Sequence, residues 1–191
     1  MTSGRFQIIG TVVALLATLA VTGCARAPGT APAAVASDGS RAPDVDIYAQ
    51  VLRRYLGNSS ENSFPERTFT LVYVMDRTFA NAGEPTGNRG AGVPIAEDTR
   101  QRIAAALAPE TRIVFVAERS AAVETKDGCA QVKDGGILIT LGPVEGGRKQ
   151  VEVGIEGFVA CLGATWLTYV VRYQSGDGWQ VTGTTGPVAV S

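Results

Sequence analysis

Histidine is absent from the whole chain of 191 residues. That absence alone removes a Ser-His-Asp triad, a HExxH zinc site and every imidazole general acid or base. No GxSxG turn, SxxK, phosphate-cradling GxxxxGK or Rossmann glycine pattern occurs either. Cysteine is scarce, with three copies, and their spacing builds no CxxC redox motif. Without histidine, no Cys/His zinc site can form. Charge of neither sign dominates: 17 Lys and Arg against 18 Asp and Glu give a formal net charge of −1, scattered rather than clustered. Nothing in that pattern attracts nucleic acid. The expectation is therefore no metal, no cofactor, no nucleic-acid partner and no assigned catalytic residue. Paired carboxylates of the glycosidase kind meet in space rather than in sequence, so spacing leaves them open. Asp76, beside Arg77 at the end of an apolar run, is the one suggestively placed carboxylate, and a structural ion pair or loop cap is the simpler reading.

Long apolar runs are also missing. The longest, from Ile8 to Val21, is shorter than the roughly 20 residues of a membrane-spanning helix. It follows a short start carrying one cation, Arg5, and leads into small residues, the pattern of a secretory signal. A lone arginine makes no twin-arginine signal. The exit Val21-Thr22-Gly23-Cys24 resembles the lipobox of bacterial lipoproteins: an aliphatic residue, two small residues, then Cys. That resemblance implies cleavage after Gly23, a diacylglycerol thioether on Cys24 and acylation of the new amino terminus. A thiolate is the nucleophile such chemistry needs. An ordinary signal peptide cut nearby and an uncleaved anchor are the competing readings. Residues 1–23 are thus expected to be a lipoprotein signal peptide. Residues 24–43, rich in Ala, Pro and Gly, read as a tether. The protein is expected at the cell membrane, held through Cys24 and facing the extracytoplasmic side.

With Cys24 assigned to lipid, Cys129 and Cys161 are left as a pair, and an exported protein favours a disulfide between them. Two free buried thiols are the alternative. Closing a loop of that length contributes about 3–4 kcal/mol in the chain-entropy model, before any native strain is subtracted.

Residues 44–191 read as one domain, a common size for a self-sufficient core. Ile47, Tyr48, Val51, Leu52 and Tyr55 share one helical face between Asp44 and Gly57, which predicts a helix over 44–56 with core-facing tyrosines. Residues 58–66 are polar and read as a loop. Phe69 to Met75 and Ile113 to Ala117 are short continuous apolar runs, the pattern of strands buried on both faces. Between them, 80–92 is too rich in Gly and Asn for a regular element, and 94–107 reads as a second helix with Glu97 and Asp98 at its start. Strand, helix and strand together suggest a parallel crossover. Residues 121–136 look polar and turn-rich. Beyond them alternation predicts antiparallel strands with one solvated face, around 137–141 and 150–156. A hairpin of 165–174 and 179–184 turns at Ser175-Gly176-Asp177-Gly178, and 188–190 forms an edge strand. The expected fold class is α+β, with two helices on a mixed, mainly antiparallel sheet of about six strands.

The last hairpin, aromatic-Thr-Tyr-Val followed by Asp-Gly-Trp, resembles nuclear-transport-factor-2-like lipoprotein domains over the final third of the chain. That resemblance implies a pocket between a curved sheet and the helices. Trp166, Trp179 and Tyr169 are the candidate binding residues, and packing is the plainer role for neighbours on one hairpin. The functional expectation is a non-enzymatic module that binds an envelope protein or an apolar ligand. The alternative is a carboxylate-dependent hydrolase acting on cell-envelope material.

Cysteine arithmetic yields the first prediction. Alkylation of the denatured, unreduced mature protein should label no thiol, and two labelled cysteines would refute the Cys129–Cys161 bridge.

Overall fold

A computed structural model describes residues 42–65, 67–86 and 89–191. The predicted signal, Cys24 and nearly all of the predicted tether lie outside the described residues. The described residues all belong to one compact unit.

The first helix, α1 (Ala42–Gly57), forms where the spacing predicts it, with Asp44 in its first turn and Arg54 in its last. Val45, Ile47, Tyr48, Val51, Leu52 and Tyr55 are all buried. Burial of each large apolar side chain of this kind is worth roughly 1.5–3 kcal/mol. The polar stretch after Gly57 is not wholly a loop: Asn58 caps a short helix, α2 (Ser59–Asn62), by accepting from the Ser60 N–H at 3.2 Å.

Among the described residues, ten strands form one sheet, more than the six or so expected. They are β1 (Leu71–Thr78), β2 (Val93–Pro94), β3 (Arg112–Val116), β4 (Val123–Lys126), β5 (Cys129–Val132), β6 (Ile137–Leu141), β7 (Glu145–Gly146), β8 (Gln150–Ala160), β9 (Gly163–Gln174) and β10 (Gly178–Val190). The remaining helices are α3 (Glu97–Leu107), α4 (Arg119–Ala122) and a 3-10 turn at Lys133–Gly135. The main path runs β10-β9-β8-β6-β1-β2, with β3 also on β1. As expected, β1 and β3 are parallel and joined through α3. The sheet is mixed and the class is α+β.

Three further sequence expectations need correction. Residues 137–141 do not form a one-faced antiparallel strand: β6 pairs parallel with β1 and antiparallel with β8, and all five of its residues are buried. Apolar alternation cannot distinguish that case when Thr140 also lies inside. The turn-rich 121–136 contains the end of α4 and the β4–β5 hairpin, whose Asp127-Gly128 corner has φ of 53° and 77°. Two successive left-handed residues are the geometry of a tight hairpin turn. Residues 188–190 do lie on an edge strand, but as the end of β10 rather than as a separate one, paired with β9 across two register shifts.

The sheet has a core on each face. On the first, α1 and α3 cover Val72, Val74, Ile139, Val153, Ile155, Leu167 and Tyr169. The pocket implied between sheet and helices is filled here by Tyr48, Leu52 and Tyr55. On the second face, Tyr73, Met75, Leu138, Phe158 and Ala164 pack with Ala122 and Val132. The segment after β1 also lies on that side. Ala82 is fully buried, and a Cβ placed on Gly154 would meet the Gly83 nitrogen at 2.6 Å.

Gly157 tests the packing of α1 on the sheet. A Cβ there would overlap the Tyr55 hydroxyl and ring. Gly157→Ala should destabilise the domain by about 1–3 kcal/mol in urea unfolding. Combined with Tyr55→Leu, the losses should be less than additive.

Candidate functional site

The register of three adjacent strands sets one row of side chains across the second face. Thr140 of β6 stands opposite Glu156 of β8, which stands opposite Trp166 of β9. Directly opposed side chains in such a ladder have Cβ atoms about 4.5–5.5 Å apart. Glu156 is only 4% exposed, so its carboxylate is a charge taken out of water. Alternation along β8 suggests that it is solvated, like Glu152. It is not, because Arg89 and α4 cover this end of the sheet.

Arg89, from the segment between β1 and α3, compensates that charge. Its Nη1 lies 2.5 Å from Glu156 Oε2 and 3.4 Å from Thr140 Oγ1. The contact with Oε2 is an ion pair rather than an aligned hydrogen bond. A second guanidinium, Arg119 of α4, lies 4.0 Å over the ring of Phe158. Burial pulls its pKa below the ordinary arginine value; Glu156 opposes that shift and the positive charge of Arg89 adds to it. The Trp166 Nε1–H is buried and has no acceptor among the described residues. Both arginines follow the carboxyl ends of parallel strands, Arg89 after β1 and Arg119 after β3. Loops at that end of a parallel sheet commonly form ligand crevices.

The sequence candidates do not gather at one surface. Trp166 belongs to this row, but Trp179 pairs with Tyr173 near the other end of the hairpin, the two rings 5.6 Å apart and edge-on. Trp179 packs on the first core and Trp166 on the second, because the pleat sends them to opposite faces. Tyr169 is fully buried. Its hydroxyl donates to Glu61 Oε2 at 2.9 Å, and burial, followed by that carboxylate, pushes its pKa up. It is a core strut with no surface to offer a ligand. Arg89, Arg119 and Glu156 were not singled out from sequence: Arg89 lies in a Gly-rich stretch, Arg119 follows Glu118, and Glu156 falls on the face of an alternating strand that the pattern assigns to solvent.

Cys129 and Cys161 lie at disulfide distance, with Cα atoms 5.5 Å apart, joining β5 to the turn between β8 and β9. Asp76 is held by Arg77 at 3.1 Å and Arg100 at 3.6 Å, the ion-pair arrangement expected of it. An apolar cleft of about 330 Å³ lies by Phe64, Val159, Leu162 and Val190. A smaller, polar cleft of about 170 Å³ is lined by Glu84, Glu145 and Glu152. Glu145 and Glu152 face each other across β7 and β8 and are exposed. Among the described residues, no group of three or more His, Cys, Asp or Glu is arranged to hold a metal. No helix among them is long and apolar enough to cross a membrane. Comparison with family models, curated proteins and solved structures finds no match to this chain.

The Tyr169 strut generates a pH prediction. Hydrogen bonds from Arg54, at 2.9 and 3.1 Å to Nε, and from Tyr169 hold the Glu61 pKa below 4.5, with burial opposing them. A depressed folded pKa stabilises fully above the unfolded value and less as pH falls through the folded one. Urea midpoints should therefore drop as pH falls below about 4.5. Glu61→Gln should lower the neutral-pH midpoint and flatten that acid limb.

Proposed function

We propose that the chain is a lipid-anchored envelope protein, held at the membrane through Cys24, whose domain binds a ligand or partner without transforming it. The lipobox after a signal-like apolar run supports the anchor, and a cysteine pair at disulfide distance suits an oxidising compartment. The observation that carries the binding assignment is the second-face row. A buried carboxylate there is already engaged by Arg89, while Arg119 and the Trp166 N–H stand without acceptors. Donors in excess of acceptors hold a ligand. Proton transfer instead needs a titratable group free to exchange its proton, and the carboxylate in this row is committed to an ion pair.

A second reading rests on the acidic cleft. Glu145 and Glu152 supply the paired carboxylates that a hydrolase of envelope glycans would need. Their exposure favours the binding reading, since little apolar surface desolvates either one. A general acid of that type commonly needs such burial.

The full-length protein, expressed in a lipoprotein-processing host and purified in detergent, tests both. Cys24→Ala should accumulate as unprocessed precursor and incorporate no labelled fatty acid. Labelled fatty acid on that variant would refute the anchor. The wild-type protein should release no products from peptidoglycan, glycans or esters. Turnover abolished by Glu152→Gln at unchanged melting temperature would establish the hydrolase instead.

A further inference from the structure

Arg119 is the only member of the second-face cluster whose charge meets no carboxylate directly. Among the described residues, its guanidinium makes the ring contact with Phe158 and no hydrogen bond or ion pair. Arg119 is exposed, so its five N–H donors face solvent without an acceptor among the described residues. The Trp166 indole, one strand over from Phe158 on the same face, adds a sixth, and that N–H is buried. A buried donor left unpaired costs about 1–3 kcal/mol. The cluster as a whole carries two positive charges and one negative. Glu156 is oriented towards Arg89 and balances only one arginine.

Resting on the assignment of this row as the binding site, we infer that it takes an oxyanion, a carboxylate or a phosphoryl group, between the Arg119 guanidinium and the Trp166 Nε1–H. Such a group supplies the acceptors that both lack; a carboxylate brings the local charge to zero, and a phosphoryl group, at about −1.5 to −2, takes it slightly below. The planar fork of arginine fits two oxygens of either group at once, and each bond is charge-assisted. The contact with the Phe158 ring holds the guanidinium in place, which reduces the ordering cost of binding. Glu156 has a different role from the arginines. It holds Arg89 in place, and its own charge repels the incoming anion, so it sets an upper limit on affinity.

Trp166 reports on the site directly. With Trp179→Phe in the full-length protein, Trp166 is the sole tryptophan of the chain. Its emission is followed while benzoate, inorganic phosphate or uncharged benzyl alcohol is added at constant ionic strength. Benzoate, phosphate or both should change the emission saturably, and the tighter of the two identifies the group as carboxylate or phosphoryl. Arg119→Ala should weaken binding about tenfold, the scale of a lost charge-assisted pair. Arg119→Lys should recover part of that loss, because charge returns without the fork. Glu156→Gln should tighten binding, an effect that loss of packing alone would not produce. Melting temperatures confirm that each variant is folded. Response to benzyl alcohol but to neither anion would overturn the oxyanion assignment and leave a binding site for uncharged ligands. No response to any of the three would overturn both, and anion binding unaffected by Arg119→Ala would place it elsewhere and overturn this site.

Discussion

Burial of β1 and β6 on both faces is the constraint on which the rest of this structure depends. Val72, Val74, Ile137 and Ile139 point to one side of the sheet, and Tyr73, Met75 and Leu138 to the other. A strand with two apolar faces must be covered twice. The long helices α1 and α3 supply the first cover, braced by Arg53, which donates to Glu110 at 2.8 Å and to the Ala106 carbonyl at 2.6 Å. Among the described residues, no long helix covers the second face. Its cover is made from the segment after β1, the short α4 and the β4–β5 hairpin.

That difference in cover explains where polar chemistry collects. A helix satisfies its own backbone and presents an apolar stripe, so the first core is nearly all hydrophobic. Irregular segments bring polar side chains with them, and the second face accordingly receives Arg89 and Arg119 beside apolar neighbours. Glu156 is the counterweight. Breaking a fully buried ion pair costs about 3–5 kcal/mol, because the remaining partner stays desolvated. Arg89 is 34% exposed, which places its removal towards or below the lower end of that range. The pair is thus more informative as a positioning device than as a source of stability. It pins Arg89 to β6 and β8 and leaves Arg119 as the uncompensated charge.

The two ends of β1 are treated differently. At its carboxyl end Asp76 meets Arg77 and Arg100, and the Ile95 N–H donates to the Asp76 carbonyl at 2.8 Å. These contacts hold the start of α3 against the strand that precedes it. Near its amino end the Thr111 hydroxyl donates to the Phe69 carbonyl at 2.7 Å, which places β3 alongside. The parallel pair β1–β3 is therefore clamped at both ends, and the arginine-bearing segments emerge from its carboxyl side.

The sequence by itself determined what depends on local pattern. Helical spacing from Val45 to Tyr55, the apolar run at Phe69 to Met75 and the Gly-Asp-Gly turn before Trp179 each specify an element without reference to the rest of the chain, and each forms. Only the tertiary structure decided what depends on the partner of a face. Ile137 to Leu141 alternates like a half-exposed strand, yet it lies between β1 and β8 with covers on both sides. Glu156 occupies a position that alternation assigns to solvent, and a loop more than sixty residues earlier in the chain buries it. Trp166 and Trp179 look like neighbours because they share a hairpin, but the pleat turns them to opposite cores. Periodicity records which residues share a face; it carries no information on what covers that face, since the cover comes from chain segments distant in sequence.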